Sequence, residues 1–149
     1  IRKQFNILVG KPTAEKAKLH LASAGHNENA PALEISGQDL LANVPRSIIL
    51  KSEDIWKALN PQISQLVDSI ADMVARLGPE LSSDLIANGI TLCGGGAQLG
   101  GLADRIEIET NARVYIPEDP AGAVARGLSL VLKYFDDFRP ILECTEDRY

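Results

Sequence analysis

Three consecutive glycines, Gly94, Gly95 and Gly96, follow directly on the apolar run Ile90, Thr91, Leu92, Cys93 and lead through Ala97, Gln98 and Leu99 into an amphipathic stretch. No other feature constrains the fold as much. A short strand that empties into a glycine loop and then a helix is a building turn of α/β folds. Glycine lets the backbone reverse at positive φ and keeps side chains out of the space above the loop. Two uses are open to such a loop. A flat ring or an anion can lie on bare peptide near the N–H groups of the helix start, or the loop is a plain strand-to-helix turn where close packing excludes side chains. Two phosphate loops are ruled out by spacing: Leu99 stands three after Gly96, which breaks G-x-G-x-x-G, and no G-K-[ST] follows.

Around this loop the chain alternates helical and strand periods. From Ile63 the positions Leu66, Val67, Ile70, Met73, Val74 and Leu77 hold a helical period over four turns, which predicts a core helix. Gly78-Pro79 ends it and opens a short helix reaching Ile86, and Asn88-Gly89 turns the chain into the strand before the glycines. A helix over 99–110, a strand over 114–116 and a helix over 121–134 follow, the last entered through Asp119 as cap and Pro120 at the first helical position. Gly127, inside that helix, costs about 1 kcal/mol relative to alanine, which predicts close approach of a neighbouring backbone.

Upstream, residues 1–8 read as the end of a helix closed by Gly10. A second helix from about Thr13 turns Ala14, Ala17, Leu21 and Ala24 to one narrow face and is stopped by Gly25 and the run His26, Asn27, Glu28, Asn29. Two strands are predicted over 32–36, with Leu33 and Ile35 on one face, and over 46–50, with a turn at Gly37-Gln38-Asp39 between them. Ser52 is the expected cap of the next helix, Glu53 and Asp54 suit its first turn, and Pro61 should kink or restart it. The βαβα order of the second half predicts a mostly parallel sheet flanked by helices, hence an α/β fold. A polar tail from Asp136, broken by Pro140, is expected to fray.

Composition removes several functions. A chain of 149 residues with 45% hydrophobic content can bury one core, or two small lobes sharing one. The formal charge of -5 and pI near 5.0 offer no basic field for a phosphate backbone, so nucleic acid is not the expected partner. Cys93 and Cys144 lack metal-ligand spacing, and His20 and His26 do not complete a zinc tetrad with them. The two thiols read as a small buried residue and a tail residue. No apolar run reaches membrane-spanning length and no signal region opens the chain, which fits the cytoplasm. The first residue is Ile rather than Met, so residues ahead of it are expected to have been removed or never included.

Glu15 and Lys18 lie three apart on the second helix, on one face with the small Ala22 one turn on. Together they offer an acceptor, a flexible cationic donor and a gap, which suits hydroxyls and the edge of a base; a solvated surface ion pair explains the same residues.

Three motifs in register carry a resemblance. The string Thr13-Ala14-Glu15-Lys16-Ala17-Lys18, the glycine run over 89–102, and Glu118-Asp119-Pro120-Ala121-Gly122-Ala123-Val124-Ala125-Arg126-Gly127 resemble, in order, the bacterial actins of the MreB type. The opening over 1–10 and the stretch over 52–77 are similar as well, so the likeness reaches about Lys133.

The resemblance implies the carboxy-terminal portion of an actin-like ATPase fold: a second-domain core over 1–7 and 61–119, a small α+β lobe over 8–60, a carboxy-terminal helix over 120–135 and a tail over 136–149. It implies a cleft for ATP or ADP, with Glu15 and Lys18 at the ribose and adenine and Gly94, Gly95 and Gly96 against the adenosine, Ala97, Gln98 and Leu99 beside them. Magnesium, the phosphate-binding hairpins and the catalytic residues of that family precede the stretch matched here, so no metal ligand and no hydrolysis are expected of these residues. The run Gln98-Leu99-Gly100-Gly101 departs from the family, where a bulky residue and an arginine are common.

The implied function is a cytoskeletal filament subunit that helps set bacterial rod shape and guides cell-wall synthesis. It would be cytoplasmic, and membrane-associated through its first domain when polymerised. Self-association is the implied partnership, with the lobe over 32–50 as the polymer surface. A last helix without its usual cover should leave Ala123, Val124, Leu128, Val131 and Leu132 partly exposed and favour dimers or helix exchange. A magnetosome-type filament, a chaperone-like ATPase module and a plain α/β interaction domain are the alternatives.

Overall fold

The computed structural model describes residues 1–25 and 31–143, with the side chain of residue 143 not described. The expected helix stop at His26 to Asn29, the Cys144 thiol and the tail over 144–149 lie outside the described residues.

The chain opens with a four-residue helix, α1 (Arg2–Phe5), rather than a helix through Leu8. Asn6 closes it in the left-handed conformation at φ 54°, which asparagine tolerates better than most residues. Ile7 and Leu8, expected to be helical, thereby become strand β1 (Ile7–Leu8). The helix α2 (Lys11–Leu21) follows, with Pro12 in its first turn, where the missing N–H costs nothing. Ala17, Leu21 and Ala24 are buried as the spacing predicts, and Ala14 is exposed.

A hairpin comes next. Strands β2 (Ala32–Asp39) and β3 (Pro45–Lys51) pair antiparallel, and β1 adds to the other edge of β2. Gly37-Gln38-Asp39 is therefore strand, not turn. Gly37 is needed there because a Cβ would collide with the Leu8 carbonyl and the Ile7 side chain, so its bare backbone is what lets β1 pack close. The reversal falls at 40–44 instead, where Asp39 Oδ1 accepts from Leu41 N (2.8 Å) and Ala42 N (3.0 Å) and Asn43 takes φ 58°.

The 24-residue helix α3 (Ser52–Ala75) runs uninterrupted through Pro61. Its start is held by Asp54, whose Oδ2 accepts from Lys51 N at 3.0 Å; Ser52, expected as the cap, donates to the Pro31 carbonyl instead. Only part of its apolar set is core: Ile63 and Val67 are buried, whereas Leu66 is 49% and Met73 62% exposed.

The helix α4 (Pro79–Asn88) leads into β4 (Ile90–Thr91), and a 3-10 turn (Gly95–Gln98) precedes α5 (Leu102–Thr110), three residues later than the expected start. Strand β5 (Val114–Tyr115) pairs parallel with β4 in the register Ile90 to Val114 and Thr91 to Tyr115. The fold is thus α/β, with a small parallel pair flanked by helices and an antiparallel three-stranded sheet of order β1-β2-β3.

Two helices finish the described chain, α6 (Ala123–Lys133) and α7 (Phe135–Glu143). Asp119 Oδ1 accepts from Gly122 N at 3.0 Å, so the expected cap tightens the turn ahead of α6, which starts at Ala123. The tail expected to fray is helical through α7 as far as described, despite Pro140. Val124, Leu128 and Leu132 are exposed on α6, with Ala123 and Val131 half-buried, the partly uncovered face that the resemblance implies. A Cβ at Gly127 would meet nothing within 4 Å, so the close backbone approach expected there is not formed among the described residues.

Burial gathers in two clusters. Ala17, Leu21, Ile35 and Leu50 fill the space between α2 and the three-stranded sheet, while Ala24, Ile63, Val67, Leu102 and Ile106 join α3 to α5 over the parallel pair. Fully burying a residue such as Ile106 or Leu50 stabilises by about 1.5–3 kcal/mol. The clusters meet where the end of α2 touches the glycine loop.

Candidate functional site

That meeting place is held by backbone. Ala24 N donates to the Gly100 carbonyl at 2.8 Å, Ser23 Oγ donates to the same carbonyl at 3.1 Å, and Ser23 pairs with Gly100 as an isolated parallel bridge. Gly101 makes the approach possible. It sits at φ 77°, and a Cβ there would lie 2.9 Å from Gly25 N. Below this joint Arg105 on α5 spans three elements: Nη1 donates to Asn60 Oδ1 at 2.8 Å and to the Ala24 carbonyl at 3.3 Å, and Nη2 donates to Ser64 Oγ at 2.8 Å. The segment after α2, the middle of α3 and the start of α5 are thereby fixed to one another.

Above the joint lies a cleft of about 540 Å³, a size suited to a small organic ligand. One wall is α2, with Glu15, Lys18, Leu19 and Ala22; a second is α3, with Leu59, Gln62, Ile63 and Leu66; the floor and far side are Gly95, Gly96, Gln98, Leu99 and Leu102. Of the residues singled out from the sequence, Glu15, Lys18, Gly95, Gly96, Gln98 and Leu99 come together here. Gly94 and Ala97 do not line it. Gly94, at φ 91°, ties the loop to the next turn through its N–H to the Pro120 carbonyl at 2.7 Å, and Ala97 is buried beneath.

The glycines bear on the two uses of the loop. A Cβ added to Gly94, Gly95 or Gly96 meets nothing within 4 Å, so close packing does not explain their lack of side chains. Positive φ explains Gly94 alone; Gly95 and Gly96 have no such need. What remains is bare peptide facing open space across the cleft from Glu15 and Lys18.

Glu15 Oε1 and Lys18 Nζ pair at 2.8 Å with both side chains about half exposed, an interaction worth about 0–1 kcal/mol and easily redirected to a ligand. Leucines and Ile63 supply apolar surface for the faces of a flat ring. Among the described residues no group of His, Cys, Asp and Glu could hold a metal ion. Cys93, expected to be buried, is exposed and free, because the two-residue strand ends before it and the glycine loop leaves it uncovered.

Sequence reasoning missed the α3 wall and the Arg105 tie. Leu59, Ile63 and Leu66 do recur at helical spacing, but that period does not distinguish a wall of a cleft from a core. Arg105 gives no local signal, since its partners are distant in sequence.

Comparison with known proteins agrees with this fold. The family model described as "MreB/Mbl protein" matches residues 1–140. The chain is 31% identical over 136 residues to the cell shape-determining protein Mbl of Bacillus subtilis, covering 91% of this chain and 41% of that protein. It is 34% identical over 136 residues to the cell shape-determining protein MreB of Escherichia coli, covering 91% and 39%. The crystal structure of MreB 5 of Spiroplasma citri bound to AMPPNP superposes with a TM-score of 0.83 at 28% identity, over 92% of this chain and 41% of that one. The chain therefore spans about two fifths of the length of these relatives.

Proposed function

The chain belongs to the MreB/Mbl family, and on that footing we propose that it supplies the adenosine side of the nucleotide cleft of an actin-like, ATP-binding filament protein that determines cell shape and guides cell-wall synthesis. One observation carries the reading: the unobstructed backbone at Gly95 and Gly96 faces the Glu15 and Lys18 side chains across a cleft lined with leucine. Such a space takes a nucleoside. The purine lies with its faces against Leu59, Leu66 and Leu99, the Glu15 carboxylate accepts from ribose hydroxyls, and Lys18 donates to ring or sugar oxygen and nitrogen once its pairing with Glu15 is redirected. The related protein bound to AMPPNP supports the class of ligand.

We assign no metal ligand and no hydrolytic step to these residues. We place the small lobe over 8–60, the core over 1–7 and 61–119, the carboxy-terminal helix over 120–135 and the tail over 136–149; the two buried clusters support the separation of most of the lobe from 61–119, while Ile1, Phe5 and Ile7 pack with the lobe and Ala24 with the core. Filament contacts belong to the lobe over 32–50, whose tip exposes Leu40, Leu41 and Val44, and helix exchange or dimerisation to the open face of α6. Among the described residues no helix is long and apolar enough to cross a membrane; a cytoplasmic location, with membrane association through another domain when polymerised, fits the reading.

Equilibrium binding of ADP to the chain tests it. A Cβ at Gly96 meets nothing within 4 Å, so Gly96→Val, whose methyl groups extend over the shelf, should abolish binding while the circular dichroism spectrum stays that of the folded chain. Undiminished binding by that variant, or none by the unaltered chain, would refute the nucleotide reading.

A further inference from the structure

The edge of the cleft that would meet a base contains one polar side chain on α3, Gln62, between the apolar Leu59 and Leu66. Hydrogen bonding favours one orientation of its amide. In the orientation that satisfies hydrogen bonding, Nε2 donates to the Ala58 carbonyl at 2.7 Å and to the Leu59 carbonyl at 3.2 Å, both on its own helix. A carboxamide that rotates freely can face a donor or an acceptor equally well; one whose NH2 is engaged by its own backbone has only its carbonyl oxygen left to offer.

We propose that Gln62 is a specificity-determining residue that selects a 6-amino purine over a 6-oxo purine in this cleft, an inference that rests on the nucleotide reading above. The exocyclic amino group of adenine donates to Gln62 Oε1. A 6-oxo purine turns an acceptor toward the same oxygen, so one hydrogen bond is lost and two lone pairs are opposed. Turning the amide to accommodate it would leave the Ala58 and Leu59 carbonyls facing an acceptor. The selectivity therefore comes from the helix backbone acting through Gln62.

The test compares equilibrium binding of ADP and IDP, whose rings differ at the 6-substituent and at the adjoining N1, an acceptor in adenine and an N–H in hypoxanthine, to the chain and to two variants. The unaltered chain should favour ADP by about tenfold, the ratio that one hydrogen bond decides. Gln62→Leu, an exposed substitution that leaves the fold intact, should bring the two affinities within about twofold, whereas Gln62→Glu keeps an acceptor and should keep the preference. An unchanged ratio in Gln62→Leu, or equal loss in both variants, overturns the inference while leaving the nucleotide site standing. Failure of both nucleotides to bind overturns the site, and this inference with it.

Discussion

Removing the Arg105 guanidinium should be among the most damaging single changes near the cleft. Its two short hydrogen bonds, to Asn60 Oδ1 and Ser64 Oγ, each at 2.8 Å, are charge-assisted, and such bonds contribute about 1.5–3 kcal/mol apiece; the third, to the Ala24 carbonyl at 3.3 Å, is weaker. The site is only part-buried, so water recovers some of the loss. About 3 kcal/mol is expected for Arg105→Ala. For a chain of 149 residues each kcal/mol moves the melting midpoint by about 2–4 °C, hence a fall of about 6–12 °C. Urea and thermal unfolding followed by circular dichroism measure it. Arg105→Lys, with one short donor head in place of a fork, should recover less than half. Ala24, whose N–H is bonded to Gly100 beside the arginine, should lose hydrogen-exchange protection in the alanine variant. A destabilisation below about 0.5 kcal/mol, or full rescue by lysine, would refute the view that this fork ties three elements together.

Gly101→Ala places a methyl group 2.9 Å from Gly25 N at φ 77°, so a loss of about 2–3 kcal/mol in urea unfolding is expected. Gly127→Ala should do the opposite, since its Cβ enters open space: α6 gains up to about 1 kcal/mol of local helix stability, visible as slower amide exchange within α6. The Asp39 carboxyl titrates at about 2, below its ordinary 3.8, because Ala42 N–H, then Leu41 N–H, then Arg46 hydrogen-bond its charged form. A depressed carboxylate contributes stability that is present above its unfolded pKa and lost as pH falls through the folded one. The chain should therefore be more stable than Asp39→Asn at pH 7, with the urea midpoints converging between about pH 4 and pH 2 if the hairpin is anchored as described.

Several features were legible because they depend on residues close in sequence. The period from Ile63, the glycine and proline breaks at 78–79 and 89, and the alternation of Leu33 and Ile35 set helices and strands by local geometry alone. Glu15 and Lys18 were recognisable as one helix face, and the glycine run as a strand-to-helix turn. Boundaries failed where a distant partner intervened: Ile7 and Leu8 left the helix to pair with β2, and Gly37 stayed in strand because β1 packs on it.

By itself, then, the sequence determined the order of elements, the acidic surface and the bare peptide of the loop, since propensity, charge and missing side chains are properties of neighbouring residues. Only the tertiary structure decided that Gly95 and Gly96 face space rather than packing, that Gln62 and Leu66 form a wall of the cleft, and that Arg105 ties three elements together. Those outcomes follow from which surfaces meet once α2 docks against Gly100 and Gly101, a long-range contact that local periodicity does not encode.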